Sequence, residues 1–219
     1  LFTYSEAVFV SAVEPASGPL AGGTRVSVNG INLVATGALR CRFGALSVEA
    51  TYASAETVAC DAPPRDANGD VVVQLSIDGG HAYATSRAVF AYVATPTVLG
   101  LSPANGPRDG GTSVAVLGRD FAPSIDLSCR IGGADDAALV RARFVSPSMV
   151  NCSMSRHAPG LARVEVSLNG VDFSDDRRSF LYVEPIVLTR ATPSLVPIGV
   201  PLVVRVTGSG LIPGASCAL

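Results

Sequence analysis

A stretch that occurs twice constrains this chain more than any other feature. The segment from Pro15 to Gly30 reads PASGPLAGGTRVSVNG, and the segment from Pro103 to Gly118 reads PANGPRDGGTSVAVLG. Pro15 and Pro103 are 88 residues apart. A worn third copy runs from Pro193 to Gly208. This period is longer than that of solenoid repeats and fits a small β-domain. The chain is therefore expected to be a tandem array. Gly18-Pro19 and the pair Gly22 and Gly23 are turn formers, proline by fixing φ and glycine by tolerating positive φ.

After the turn, Thr24, Val26 and Val28 alternate with Arg25, Ser27 and Asn29, the period of a half-buried strand. Further strands are expected at Val10 to Pro15, Arg40 to Phe43, Thr57 to Cys60, Val71 to Ile77 and Val89 to Tyr92. In the second copy they are expected at Thr112 to Gly118, Leu127 to Ile131, Met149 to Cys152, Arg163 to Leu168 and Phe180 to Tyr182. Asp78-Gly79 and Asn169-Gly170 carry a hairpin signal. The Phe-x-Tyr endings at Phe2, Phe90 and Phe180 mark domain ends. The reading is the end of a preceding domain (1–7), two whole sandwiches (8–93 and 94–183) and the first part of a third (184–219). The sequence starts and stops within a repeat, which reads as an excised piece of a longer protein. Short proline-containing linkers at Ala94-Thr95 and Glu184-Pro185 predict a semi-rigid rod.

Composition agrees. With 22 Gly, 15 Pro and only 16 % charged residues, many short turn-linked strands are favoured over long helices. The fold class is all-β, with Greek-key sandwiches. Every basic residue is arginine, so neither a P-loop lysine nor a Schiff-base lysine is available. Mean hydropathy is positive, but the most apolar region, Val196 to Val206, is cut by Pro197, Pro201 and Arg205. It cannot supply the ~20 apolar residues of a spanning helix, and no membrane insertion is expected of this segment. Arginine and alanine usage points to a GC-rich genome, such as that of an alga or other protist.

Taken in order, Pro-x-x-Gly-Pro-x-x-Gly-Gly-Thr, Val-x-Val-x-Gly, Cys-x-Phe/Ile-Gly, Val-x-Cys, Asn/Asp-Gly and Phe-x-Tyr resemble the IPT/TIG family. These immunoglobulin-like domains occur in plexins, growth-factor receptor ectodomains and fibrocystin-like surface proteins. They also occur in Rel-type transcription factors and some polysaccharide enzymes. The third copy departs in lacking Gly-Gly-Thr, and Ile131 stands where the first copy has Phe43. The resemblance implies tandem immunoglobulin-like β-sandwiches of the E-set/TIG type in a stalk or interaction role, and no reaction.

Cys41, Cys129 and Cys217 fall at equivalent places, as do Cys60 and Cys152. Four cysteines allow three pairings. The repeat selects Cys41–Cys60 and Cys129–Cys152, because each copy has to be self-sufficient; Cys217 then needs a partner outside the fragment. Buried free thiols in a cytosolic sandwich are the alternative. Disulfides imply an oxidising, extracellular setting.

No other motif carries chemistry strongly. Asn151-Cys152-Ser153 is an N-glycosylation sequon, weakened by its central cysteine. Asp66, Asn68 and Asp70 space oxygen donors as a calcium loop does, but without the glycine placement and distal glutamate of an EF-hand. They read as a solvated turn, as do Asp135-Asp136 and Asp175-Asp176 at loop tips. His81 and His157 read as surface residues. The glycine-rich segments precede strands, so the helix terminus of a phosphate site is missing. Arg141 and Arg143 share one strand face and Arg177-Arg178 form a pair, yet a net charge of −2 disfavours nucleic acid. No cofactor or metal is expected. The favoured function is a non-enzymatic stalk of a cell-surface or ciliary glycoprotein, for adhesion or protein recognition, packing against neighbouring repeats. An accessory module of a secreted polysaccharide-acting enzyme is the alternative, and an intracellular DNA-binding factor ranks last.

Overall fold

A computed structural model of the chain describes residues 6–133, 137–195 and 202–211. The first repeat holds β1 (Phe9–Glu14), β2 (Ser17–Pro19), β3 (Arg25–Ile31), β4 (Arg40–Phe43), β5 (Leu46–Ser54), β6 (Thr57–Asp61), β7 (Gly69–Ser76), β8 (Thr85–Ser86) and β9 (Val89–Val93). The second holds β10 (Thr97–Ser102), β11 (Asn105–Pro107), β12 (Ser113–Arg119), β13 (Ser128–Ile131), β14 (Ala138–Arg141), β15 (Arg143–Ser146), β16 (Met149–Ser153), β17 (Gly160–Ser167) and β18 (Ser179–Val183). Two more, β19 (Val187–Thr192) and β20 (Arg205–Ser209), belong to the third copy. No helix occurs among the described residues.

The first and second repeats are each a two-layer sandwich. In the second, one layer runs β10-β12-β16-β15 and the other β11-β18-β17-β13-β14. In the first, β5 joins the two layers into one ladder, because its first half pairs with β4 and its second half with β6. The alternating residues face inward as the pattern requires: Val26, Val28, Cys41, Phe43, Val58, Cys60, Val73, Leu75 and Phe90 are buried in the first core. Val114, Val116, Cys129, Ile131, Val150, Cys152, Val164, Val166 and Phe180 fill the second. Cys41–Cys60 and Cys129–Cys152 are disulfide-bonded, with Cα atoms 6.4 and 6.3 Å apart. Each bond ties a strand of one layer to a strand of the other. Cys217 lies outside the described residues.

Several details differ from the sequence expectation. The strand expected from Val71 to Ile77 starts two residues earlier and ends at Ser76. Asp78-Gly79 does not close a two-residue hairpin: the chain leaves β7, loops, and joins β1 in the opposite layer as β8 before returning as β9. The turn at Asn169 is also wide, with a bridge between Ser167 and Phe173 and the Ser174 N–H donating to the Val166 carbonyl at 3.0 Å. Gly18 lies in a strand and is not at positive φ. Arg141 and Arg143 are on two strands, β14 and β15, divided at Ala142. In the third copy β19 pairs with β20 through the same bulged antiparallel register as β1 with β3. All three copies share a cis proline, at Pro15, Pro103 and Pro193. The expected end of a preceding domain falls largely outside the described residues, as do Val196 to Pro201 and Asp135-Asp136.

Candidate functional site

The repeated corner lies where one repeat meets the next. Gly18 packs so closely on the Thr24 hydroxyl that a side chain has no room, and a Cβ there would also come within 2.8 Å of Phe90 Cζ. Gly106 holds the same relation to Thr112 and to Phe180 Cζ, again at 2.8 Å. In the first two copies the turn hangs from the loop after the cysteine strand: Gly23 N–H donates to the Ala62 carbonyl, and Gly111 N–H to that of Met154, both at 2.8 Å.

On the first corner sits the wide turn of the second repeat. Asn169 Nδ2 donates to the Ser17 carbonyl at 2.8 Å, and Thr24 Oγ1 donates to Asp172 Oδ2 at 2.7 Å. The turn is built to present these groups. Asn169 Oδ1 accepts from the N–H of Val171 and of Asp172 and from the Ser167 hydroxyl, while its Nδ2 also donates to Asp172 Oδ2. Both ends of the amide are used, as burial of a polar group demands. Gly18, Pro19 and the linker Val93 to Pro96 line a narrow cleft with Leu168, Asn169 and Asp172. Val93, at the end of the first repeat, packs on the second core. Thr24 is 1 % exposed, whereas its counterpart Thr112 is only half-buried. Farther along, Arg108 pairs with Glu184 at 2.9 Å across the start of the next linker. Both side chains are partly exposed, so the pair contributes at most about 1 kcal/mol.

The Phe-x-Tyr endings have a polar task as well as a core one. Tyr92 Oη donates to the Pro63 carbonyl and Tyr182 Oη to the Ser155 carbonyl, each at 2.7 Å. Burial raises both phenols above the ordinary tyrosine value, opposed by Arg65 in one case and by Ser155 in the other. A raised folded-state value keeps its stabilisation whole below the unfolded value of about 10 and loses it as pH climbs through the folded value. Two tyrosines are therefore expected to ionise above the ordinary tyrosine value in an ultraviolet phenolate titration, with stability to urea falling above about pH 10. Tyr92→Phe with Tyr182→Phe is expected to remove the late phase; a late phase that survives both substitutions would contradict this.

Sequence reasoning missed three arrangements. Arg42 stacks 3.8 Å from the Tyr83 ring centroid and donates to Gln74, and in the second repeat Arg130 stacks 4.2 Å from that of Phe173 and pairs with Glu165. His157 is half-buried and stacks on Tyr182 at 4.9 Å, in the place that Arg65 takes over Tyr92. Asp176 is no solvated loop tip: its carboxylate accepts the Val98 N–H at 2.6 Å, at a strand where the first repeat uses β8 instead. The equivalence of the repeats was the available signal for the first two; the third needed the fold. His81, Asp66, Asn68, Asp70, Asp175, Arg177 and Arg178 are exposed. Asn151 is half-buried in the middle of β16, lining a groove with Arg141 and Arg143. Among the described residues no three of His, Cys, Asp or Glu gather as a metal site.

Tandem sandwiches with a glycine corner, a cross-layer disulfide and a docked turn define a protein of immunoglobulin-like repeats. The family model for the IPT/TIG domain matches residues 9–92 and 96–182, and the chain belongs to that family. Human Plexin-A3 is 25 % identical over 222 residues, covering 93 % of this chain and 11 % of the relative. Human Fibrocystin-L is 24 % identical over 182 residues, covering 80 % of this chain and 4 % of the relative. A structure of the Plexin A4 full extracellular region shares the fold with a TM-score of 0.55 at 19 % identity, covering 96 % of this chain and 18 % of that one. The chain thus spans about a tenth of the length of Plexin-A3.

Proposed function

We propose that this chain is a structural and recognition segment of a large extracellular or cell-surface protein. Its TIG repeats, divided at 8–93 and 94–183 with a third from 184, stack as a semi-rigid stalk, and the chain catalyses no reaction of its own. The observation that carries this is the latch of Asn169 and Asp172 on Ser17 and Thr24. A flexible tether would leave the corner of the first repeat in water. Here two hydrogen bonds and an apolar linker fasten it to the second, so one repeat orients the next. Two disulfides per pair of repeats, and relatives that include a plexin extracellular region by name, support the extracellular setting.

Residual dipolar couplings test the stalk. Both repeats are expected to share one alignment tensor, and Asn169→Ala with Asp172→Ala to give each repeat its own while both stay folded. Independent tensors in the unsubstituted chain would defeat the reading.

A further inference from the structure

The outer faces of the two equivalent layers share their ladder register but differ in chemistry. Across the first repeat, β1, β3, β6 and β5 present Ser11, Asn29, Thr57 and Ala53 in one row. That row satisfies itself: the Ser11 hydroxyl donates to the Asn29 carbonyl at 3.1 Å, and Thr57 Oγ1 donates to Asn29 Oδ1 at 3.1 Å. At the same ladder positions the second repeat presents Leu99, Leu117, Met149 and Val145. Leu117 and Met149 are cross-strand partners, and Leu99 and Val145 are the bulge residues of the strands on either side. Leu99, Leu117 and Val145 are 46 %, 42 % and 38 % exposed.

The rim changes in step. The first repeat has Ile31, Glu49 and Thr51 there, and an ion pair of Arg25 with Asp61 at 3.0 Å. The second has Arg119, Arg141 and Arg143, with Ser113 and Ser153 in place of the ion pair. All three arginines are exposed, and among the described residues no carboxylate pairs with them. An apolar row on a sheet face costs solvation that its sister copy avoids with hydroxyls and an amide. Such a row bordered by three exposed arginines has the anatomy of an interface, an apolar centre within a charged border.

We infer that this face of the second repeat docks a protein partner whose surface carries aliphatic or aromatic side chains between carboxylates. The apolar row takes the side chains, and Arg119, Arg141 and Arg143 take the carboxylates. The inference rests on the recognition role proposed above and locates it on one sheet. An anionic glycan has no use for four apolar side chains at the centre of its site, so a protein fits the face better.

The test uses the whole chain, produced without N-glycans so that Asn151 is bare, and a phage-displayed library of random dodecapeptides as the probe. Selected peptides are expected to combine Leu, Ile or Phe with Asp or Glu. They are expected to bind at least ten-fold more weakly to Leu99→Ser/Leu117→Asn/Met149→Thr, which carries the residues of the first repeat at the same positions. The rim variant Arg119→Ile/Arg141→Glu/Arg143→Thr is expected to lose binding similarly, and it leaves the apolar row intact should the first variant fold poorly. Equal binding to folded variants, or selection of basic peptides, would overturn the inference. So would a wild-type dimer that the apolar variant abolishes, or heparin or phosphatidylserine vesicles occupying the face where peptides do not. In each of these cases the shared alignment of the repeats, and with it the stalk, would still stand.

Discussion

Converting Cys41 and Cys60 to alanine is expected to lower the unfolding free energy of the first repeat by about 3 kcal/mol or more. The bond closes a sequence separation of 19 residues and ties β4 in one layer to β6 in the other. Without it the unfolded chain regains the loop-closure entropy, and a domain of this size has only about 5–15 kcal/mol to lose. Both cysteines are fully buried among Val26, Val58, Val73 and Phe90, so truncation also leaves unfilled core volume. The second repeat, with its own bond over 23 residues, is expected to keep its stability apart from what it gains through the latch. Hydrogen exchange followed by mass spectrometry reads each repeat separately. Faster exchange confined to the first repeat, in the strands of both layers, is the expected pattern. A loss under about 1 kcal/mol, or equal losses in both repeats, would contradict it.

Much of this architecture is legible in the sequence because it is local and repeated. The alternation from Thr24 to Gly30 is a property of one strand, and it folds as the period requires, with Val26 and Val28 inward. What escapes is whatever depends on a second element. The strand β5 is the longest of the first repeat, yet its residues are mostly exposed. It changes layers midway, so no single inward face exists to produce a pattern. Asp176 looks like one of two loop acids until β10 is placed beside it. Asn169 carries a true turn signal, but its amide reaches Ser17, 152 residues earlier. The junction is therefore invisible in either repeat alone. The chemistry of the outer face is a different case. Leu117 and Asn29 stand at aligned positions in the sequence, and their meaning appears only when the sheet shows that Leu99, Met149 and Val145 share the row.

The Gly-Gly pair of the corner reads in sequence as one turn signal, but its two glycines do different work, and substitution should separate them. Gly22 has φ of +72°, and a Cβ there would meet the Ala62 carbonyl oxygen at 2.6 Å, Pro64 N at 2.6 Å and the Pro63 carbonyl carbon at 2.7 Å. All three are backbone atoms, so no rotamer change relieves the clash. Gly23 has φ of +85° with nothing within 4 Å of the same atom. Alanine at 23 therefore meets only the left-handed conformational penalty, about 1 kcal/mol. Alanine at 22 meets that penalty and overpacking against rigid backbone as well, for a total of about 2–4 kcal/mol. The second repeat repeats the contrast: Gly110 faces the backbone of Met154, Ser155 and Arg156 at 2.7–2.8 Å, and Gly111 faces open space, both at φ of +81°. Urea unfolding of the four single alanine variants measures it. Gly22→Ala and Gly110→Ala should be the two severe ones, each destabilising its own repeat, and Gly22→Ala should also loosen the latch, because Thr24 follows directly from the turn. Equal losses at Gly22 and Gly23 would mean that the turn conformation alone matters. The close approach of the corner to the loop after the cysteine strand would then contribute nothing.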